Sequence, residues 1–173
     1  MPKATGTEAR IRTGRLELLP LVVDDADEMV EVLGDQRLHD FIGGRPATLE
    51  ELRTRYAVLA DAHSPDGSQE WRNWILRLRD GTAVGTVQAT IVEDGRAAEI
   101  AWVVGTPWQG RGLASEAAIG LVAWLEARGV RTITAHVHPD HRASAAVAAR
   151  AGLEQTGERH AGELLWRRIT AER

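Results

Sequence analysis

The chain has 173 residues, a length that suits one domain with a core large enough to hold a ligand cleft. Its 43% hydrophobic and 27% charged content is that of a soluble globular protein, and a net charge of −4 from 21 basic and 25 acidic residues argues against a nucleic-acid binder. The absence of cysteine excludes disulfides, thiolate metal sites and a cysteine nucleophile; with no signal-like start and no run of about 18 apolar residues, a cytoplasmic protein with no membrane partner is expected.

Residues 1–10 are small and polar and are expected to be loosely ordered. Residues 15–21 read as a short strand ended by Pro20. Residues 24–33 read as a helix that Asp24 or Asp25 can cap, with Asp27 and Glu28 suited to its positive end and Gly34 stopping it. Residues 41–46 form a turn. Thr48-Leu49-Glu50-Glu51 is a capping-box sequence that opens a second helix to about residue 62. Residues 63–69 are a polar loop.

Residues 72–79 and 82–92 are strands joined by Asp80-Gly81, a strong hairpin signal. Glu93-Asp94-Gly95 makes the next turn, and residues 97–104 complete a three-stranded meander. A helix over about residues 112–128 carries Leu113, Ala117, Leu121, Trp124 and Leu125 on one face and ends at Gly129. Residues 132–137 are a strand, 143–151 an alanine-rich helix, 153–157 a further short strand and 164–169 the last strand. Three antiparallel strands followed by a β-α-β crossover give an α/β (α+β) fold: a mixed, largely antiparallel sheet of six or seven strands flanked by about four helices.

Gly110 and Gly112 stand between a strand and a helix N-terminus. The first turn of a helix has unpaired N–H groups and a partial positive charge, so it favours an anion, and glycine lets phosphate oxygens approach the backbone. A Walker loop fails here because Arg111-Gly112 stand where Lys-Ser/Thr would be needed. A dinucleotide fingerprint has Ser115 in place of its third glycine, and its strand would follow antiparallel hairpins, which disfavours a nucleotide-dependent oxidoreductase. The pattern Gln/Arg-x-x-Gly-x-Gly/Ala is met in full by Gln109-Gly110-Arg111-Gly112-Leu113-Ala114.

On this signature the chain resembles the GNAT superfamily of N-acetyltransferases. Thr106-Pro107-Trp108 before the signature and Ser115-Glu116-Ala117 after it extend the resemblance, as do Pro139-Asp140-His141-Arg142-Ala143-Ser144 and Ala151-Gly152-Leu153. Thr13–Leu18 followed by Asp24-Asp25-Ala26 is similar to the ribosomal-protein N-terminal (alanine) acetyltransferase branch.

The resemblance implies two splayed central parallel strands, residues 97–104 and 132–137. The pantetheine arm of acetyl-CoA would pair with backbone at Val103 and Val104. The pyrophosphate would lie on backbone N–H groups from Gln109 through Gly110, Arg111, Gly112, Leu113 and Ala114 to Ser115. It implies direct transfer to a primary amine, with acetyl-CoA as co-substrate, no metal and no acyl-enzyme. The amine, with a reference pKa of about 10.4 in lysine and about 8 at an N-terminus, needs a base. Glu99 is the candidate, with His138 its rival. Many of the family have a tyrosine to meet the leaving thiolate, but the only tyrosine here, Tyr56, lies far earlier. The similar ribosomal-protein branch has a serine where Ser144 falls, so the resemblance implies Ser144 as the thiolate's hydrogen-bond partner; Ser144 also suits the first turn of its helix. His141 stands where the family usually has an asparagine that contacts the pantetheine arm. The acceptor site is expected around the first two helices, residues 39–46 and the hairpins, including Phe41, Trp71, Trp74 and Trp102. Acceptor classes are a protein N-terminus or a small-molecule amine, and the protein is expected as a monomer or homodimer. A non-catalytic acyl-CoA sensor or interaction module is the alternative.

Overall fold

A computed structural model describes residues 9–41 and 43–171. In chain order the elements are β1 (Ile11–Arg12), β2 (Leu16–Pro20), α1 (Ala26–Val32), α2 (Leu49–Leu59), β3 (Glu70–Leu78), β4 (Ala83–Val92), β5 (Ala97–Val104), α3 (Leu113–Ala127), β6 (Thr132–Val137), α4 (Arg142–Arg150), β7 (Glu154–His160) and β8 (Glu163–Ile169). One sheet runs β1-β2-β3-β4-β5-β6-β8-β7, and only β5 and β6 pair in parallel. The sheet has eight strands where six or seven were expected. The addition is β1, two residues long and too short to show alternation, yet its Ile11 is buried.

Expected loose order in residues 1–10 falls on residues 1–8, which lie outside the described ones, and on Ala9 and Arg10. Ala9 departs from it: it is buried, and its carbonyl accepts a hydrogen bond from Trp74 Nε1 at 2.6 Å. The local signals act as their chemistry requires. Thr48 caps α2 by accepting from the Glu51 N–H, and the Asp80 carboxylate accepts from the Thr82 N–H in the β3–β4 turn. Helix α2 stops at Leu59, three residues early, and Ala62 then takes a left-handed φ of 62° that no helix can continue.

In the middle of β3 the consecutive residues Trp74, Ile75 and Leu76 are all buried, so both faces of the sheet are covered there. One cluster unites Trp74 and Leu76 with Leu113, Leu121 and Leu125 of α3 and Val147 of α4. The other joins Ile75 to Ala26, Met29, Leu52 and Tyr56 under α1 and α2. Directly opposed residues share a face, so register extends this second face across the sheet. It runs from Ile75 through Thr86 to Val103 on β5, and so includes Glu99. It continues from Glu99 to Thr134 on β6, while His136 stands opposite Leu165 of β8. The α1–α2 cluster draws on β3 and β4 only, which leaves the β5–β8 stretch of this face open.

Candidate active site

Strands β5 and β6 share three rungs, Ala97 with Thr132, Ala98 with Ile133 and Glu99 with Thr134. Beyond Glu99 they part: residues 100–104 stay paired to β4, and β6 stays paired to β8 as far as Val137. The result is a V-shaped gap in the centre of the sheet with Glu99 at its apex. A kink accompanies it. Val84 is an extra residue in β4 against β3, and a Cβ on the adjacent Gly85 would lie 2.1 Å from the Val103 carbonyl oxygen.

The signature turn stands at the C-terminal end of β5. Gly110 and Gly112 have φ of 78° and 77°, left-handed values that suit glycine and turn the chain sharply into α3. Gly112 is the N-cap residue and supplies no side-chain cap, so the first N–H groups of α3 are open to an anionic ligand. Gln109 folds back, its Nε2 donating to the Val104 carbonyl at 3.0 Å. Leu113 points into the core, and Ser115 is buried with its hydroxyl accepting from Arg150 at 3.3 Å. Leu113 and Ser115 therefore offer a ligand their main chain, whereas the Gln109 N–H, expected in the same role, is taken by the Thr106 carbonyl at 3.3 Å because the turn 106–108 closes on it.

A brace holds the turn from outside. The Glu116 carboxylate accepts from the Thr13 hydroxyl and from the N–H and Nε of Arg15, at 2.5, 2.8 and 2.9 Å. Arg15 in turn donates through Nη1 to the Arg111 carbonyl at 2.8 Å.

The other wall of the gap is the start of α4. His141 is its N-cap, with Nδ1 accepting from the Ser144 N–H at 3.3 Å. In the neutral ring this makes Nε2 an N–H donor. Burial, with a smaller push from His138, holds the His141 imidazole below its usual pKa and favours that neutral form. Phe41 stacks on His141 with ring centroids 4.3 Å apart and a 22° tilt, and lies 5.2 Å from the His138 ring. The His138 Nδ1 accepts from the Asp140 N–H at 3.1 Å. The indole of Trp102, on the reach of β5 that has parted from β6, donates to Ser144 Oγ at 3.0 Å. Tyr56 lies on the buried side of α2 with its pKa pushed up to about 12, chiefly by burial and further by Asp25.

On the open face, Glu99 is more than half exposed and its Oε1 lies 3.8 Å from His136 Nε2. The His136 ring tilts against His160 at 5.8 Å. Beside them an open cavity of about 640 Å³ is lined by Thr134, His136, Glu158, Arg159, His160 and Leu165. Glu158 there is paired to Arg167 at 2.9 Å.

A family model described as an acetyltransferase (GNAT) domain matches residues 15–154, more than half of the chain. The chain belongs to the GNAT acetyltransferases. Solved structures share its fold. RimL, a ribosomal-protein alpha-N-acetyltransferase, is 20% identical with a TM-score of 0.78 over 93% of this chain and 94% of its own. A GNAT-family acetyltransferase from Bacillus anthracis is 19% identical with a TM-score of 0.76, over 92% of this chain and 98% of that one. The aminoglycoside acetyltransferase AAC(6')-Ib in complex with coenzyme A is 19% identical with a TM-score of 0.73, over 89% and 94%. No curated protein sequence matches.

In this GNAT acetyltransferase the fold gathers Glu99, Val103, Val104, residues 109–115, His141 and Ser144 around one gap. Of the aromatic residues expected near the acceptor, Phe41 and Trp102 stand at the gap. Trp74 is instead a core residue, buried against Trp124 with ring centroids 5.1 Å apart. Sequence reasoning missed His136, the Thr13–Arg15–Glu116 brace and the bond from Trp102 to Ser144. Thr134 and His136 at alternate positions of a strand were the only available signal for the first. Among the described residues no helix is long and apolar enough to cross a membrane.

Proposed function

We propose that this protein moves an acetyl group from acetyl-CoA directly to a primary amine, with Glu99 as general base and Ser144 hydrogen-bonding the leaving thiolate. The observation that carries the reading is the V between β5 and β6. A turn with uncapped helix N–H groups lies at its mouth and a carboxylate at its apex, on the face that α1 and α2 leave open. The edge of β5 that β6 leaves uncovered at Val103 and Val104 is where an extended amide-bearing arm would add as a partial strand, taking the place of Gln109 Nε2 at the Val104 carbonyl. The open N–H groups of residues 110–115 suit a pyrophosphate, with Arg111 adding charge at the rim.

The acceptor amine would enter over the polar platform of Glu99 and His136. Glu99 takes its proton, directly or through water, for a gain of about 10²–10⁴ in rate. The nitrogen attacks the thioester carbonyl, and collapse of the tetrahedral adduct breaks the C–S bond and releases the thiolate. Against His138 as the base stands its hydrogen bond: Nδ1 is occupied by the Asp140 N–H, which leaves Nε2 protonated in the neutral ring. His141 is suited to replace the family's asparagine, because it can cap α4 with Nδ1 while Nε2–H donates to the pantetheine arm. The named relatives, a ribosomal-protein alpha-N-acetyltransferase and an aminoglycoside acetyltransferase, support a protein N-terminus or a small-molecule amine as the acceptor class.

Calorimetry with acetyl-CoA, followed by an amine panel that monitors free CoA thiol, tests the proposal. Binding plus thiol release with at least one primary amine is expected. No binding would overturn it; binding with silence across the panel would turn the reading to an acyl-CoA-sensing module.

A further inference from the structure

We infer that Trp102 is a positioning residue that makes the Ser144 hydroxyl a dedicated hydrogen-bond donor to the departing thiolate. This rests on the acetyl-transfer reading and names a part that the turn and Glu99 do not supply.

Trp102 lies on the stretch of β5 that has left β6, and Ser144 lies on the first turn of α4 across the gap. The 3.0 Å bond between them is a tertiary tie across the V. Its direction is fixed by chemistry. An indole N–H can only donate, so Ser144 Oγ must accept and its own proton must point elsewhere. A serine on a helix commonly gives that proton to the carbonyl one turn back. Among the described residues Ser144 makes no such bond; its N–H goes to His141 Nδ1 and its Oγ to Trp102. Main chain and side chain are thus both held, and the hydroxyl proton is left for a ligand.

The same bond changes the chemistry of the hydroxyl. A donor on Oγ stabilises negative charge there, so the O–H becomes a stronger donor as the thiolate forms. The balance is simple. The amine proton goes to Glu99, the C–S electron pair stays on sulfur, and Ser144 shares its proton with that sulfur without having to lose it. Trp102 packs against the α3–α4 core cluster, which fixes the plane of the indole and hence the aim of its N–H.

A double-mutant cycle of Trp102→Phe and Ser144→Ala tests this, with kcat measured at saturating amine and acetyl-CoA. Phenylalanine keeps a ring in the packing and removes the N–H. Trp102→Phe is expected to lower kcat about three- to tenfold and Ser144→Ala at least as much. The double variant should be no slower than Ser144→Ala, and acetyl-CoA affinity should be unchanged in all three. Losses that multiply would assign Trp102 a purely structural role and overturn the inference, as would an unchanged rate in Ser144→Ala. A second measurement avoids any folding defect of the Trp102 variant. In Ser144→Ala the Trp102 indole N–H resonance should shift upfield and exchange faster with solvent; an unmoved resonance overturns the bond. A wild-type protein silent with every amine defeats the acetyl-transfer reading and this inference together; an active wild type with multiplying losses defeats this inference alone.

Discussion

Replacing Glu116 by glutamine tests how the signature turn is held in place. The Glu116 carboxylate accepts three hydrogen bonds, with Oε2 serving the Thr13 hydroxyl and the Arg15 N–H, and Oε1 serving Arg15 Nε. Glutamine has one acceptor oxygen, so whichever way its amide sits, one side of the brace loses its partner. A hydrogen bond to a charged group is worth about 1.5–3 kcal/mol. Glu116 is 21% exposed, so water replaces part of the loss, and a net cost of about 2 kcal/mol is expected. For a chain of this size that lowers the melting temperature by about 4–8 °C. Thermal unfolding followed by circular dichroism at pH 7 reads it directly.

The pH dependence gives a second, independent reading of the same carboxyl. Burial works against its ionisation but is outweighed by the hydrogen bonds from Thr13 and Arg15, so the folded-state pKa lies below the ordinary 4.5. Its contribution is therefore complete above pH 4.5 and fades as pH falls through the lowered value. The gap between wild type and Glu116→Gln should be widest near neutrality and close in acid. Equal melting temperatures at pH 7, or a gap unchanged between pH 7 and pH 3, would refute the reasoning.

Glu99→Gln should lower kcat by about 10²–10⁴ and leave acetyl-CoA affinity intact by calorimetry; an unchanged rate removes Glu99 from the base role. Gly112→Ala places a side chain at a φ of 77° and should cost about 1–2 kcal/mol of stability. The new methyl would also sit 3.4 Å from Arg15 Nη2, and the disturbed turn should bind acetyl-CoA at least about tenfold more weakly in a titration. His141 has a folded-state pKa lowered chiefly by burial, so its contribution is present above pH 6.5 and lost as pH falls through the lowered value. His141→Asn keeps a capping side chain and should match wild type at pH 8 but melt higher than wild type at pH 5. A parallel fall of both proteins between those pH values would remove His141 as the titrating group.

The parts of the molecule legible in the sequence are those set by neighbours along the chain. β5 and β6 begin and end where alternation and turn residues place them, and α3 follows its apolar stripe to within a residue. The glycine turn was readable for the same reason, since a phosphate cradle is a local backbone shape. β7 was less clear because nearly every residue in it is exposed and its pairing is interrupted around Gly157, where φ is 81°. The missed site features are products of topology. Arg15 and Glu116 lie 101 positions apart in sequence and Trp102 and Ser144 lie 42 apart. His136 meets Glu99 only because two parallel strands take one register. No spacing within a single segment encodes any of these contacts.

Three rungs are a narrow seam for an eight-stranded sheet. Mechanically the protein is two leaves, β1–β5 and β6–β8, with a soft line between them where backbone amides await an outside partner. A donor molecule seated along that line, as proposed above, would act as mortar for both leaves at once. Ligand that binds only the folded state at a hundred times its Kd adds about 2.7 kcal/mol. On that proposal the lifetime of the enzyme against unfolding and proteolysis would be tied to the supply of its own acetyl donor.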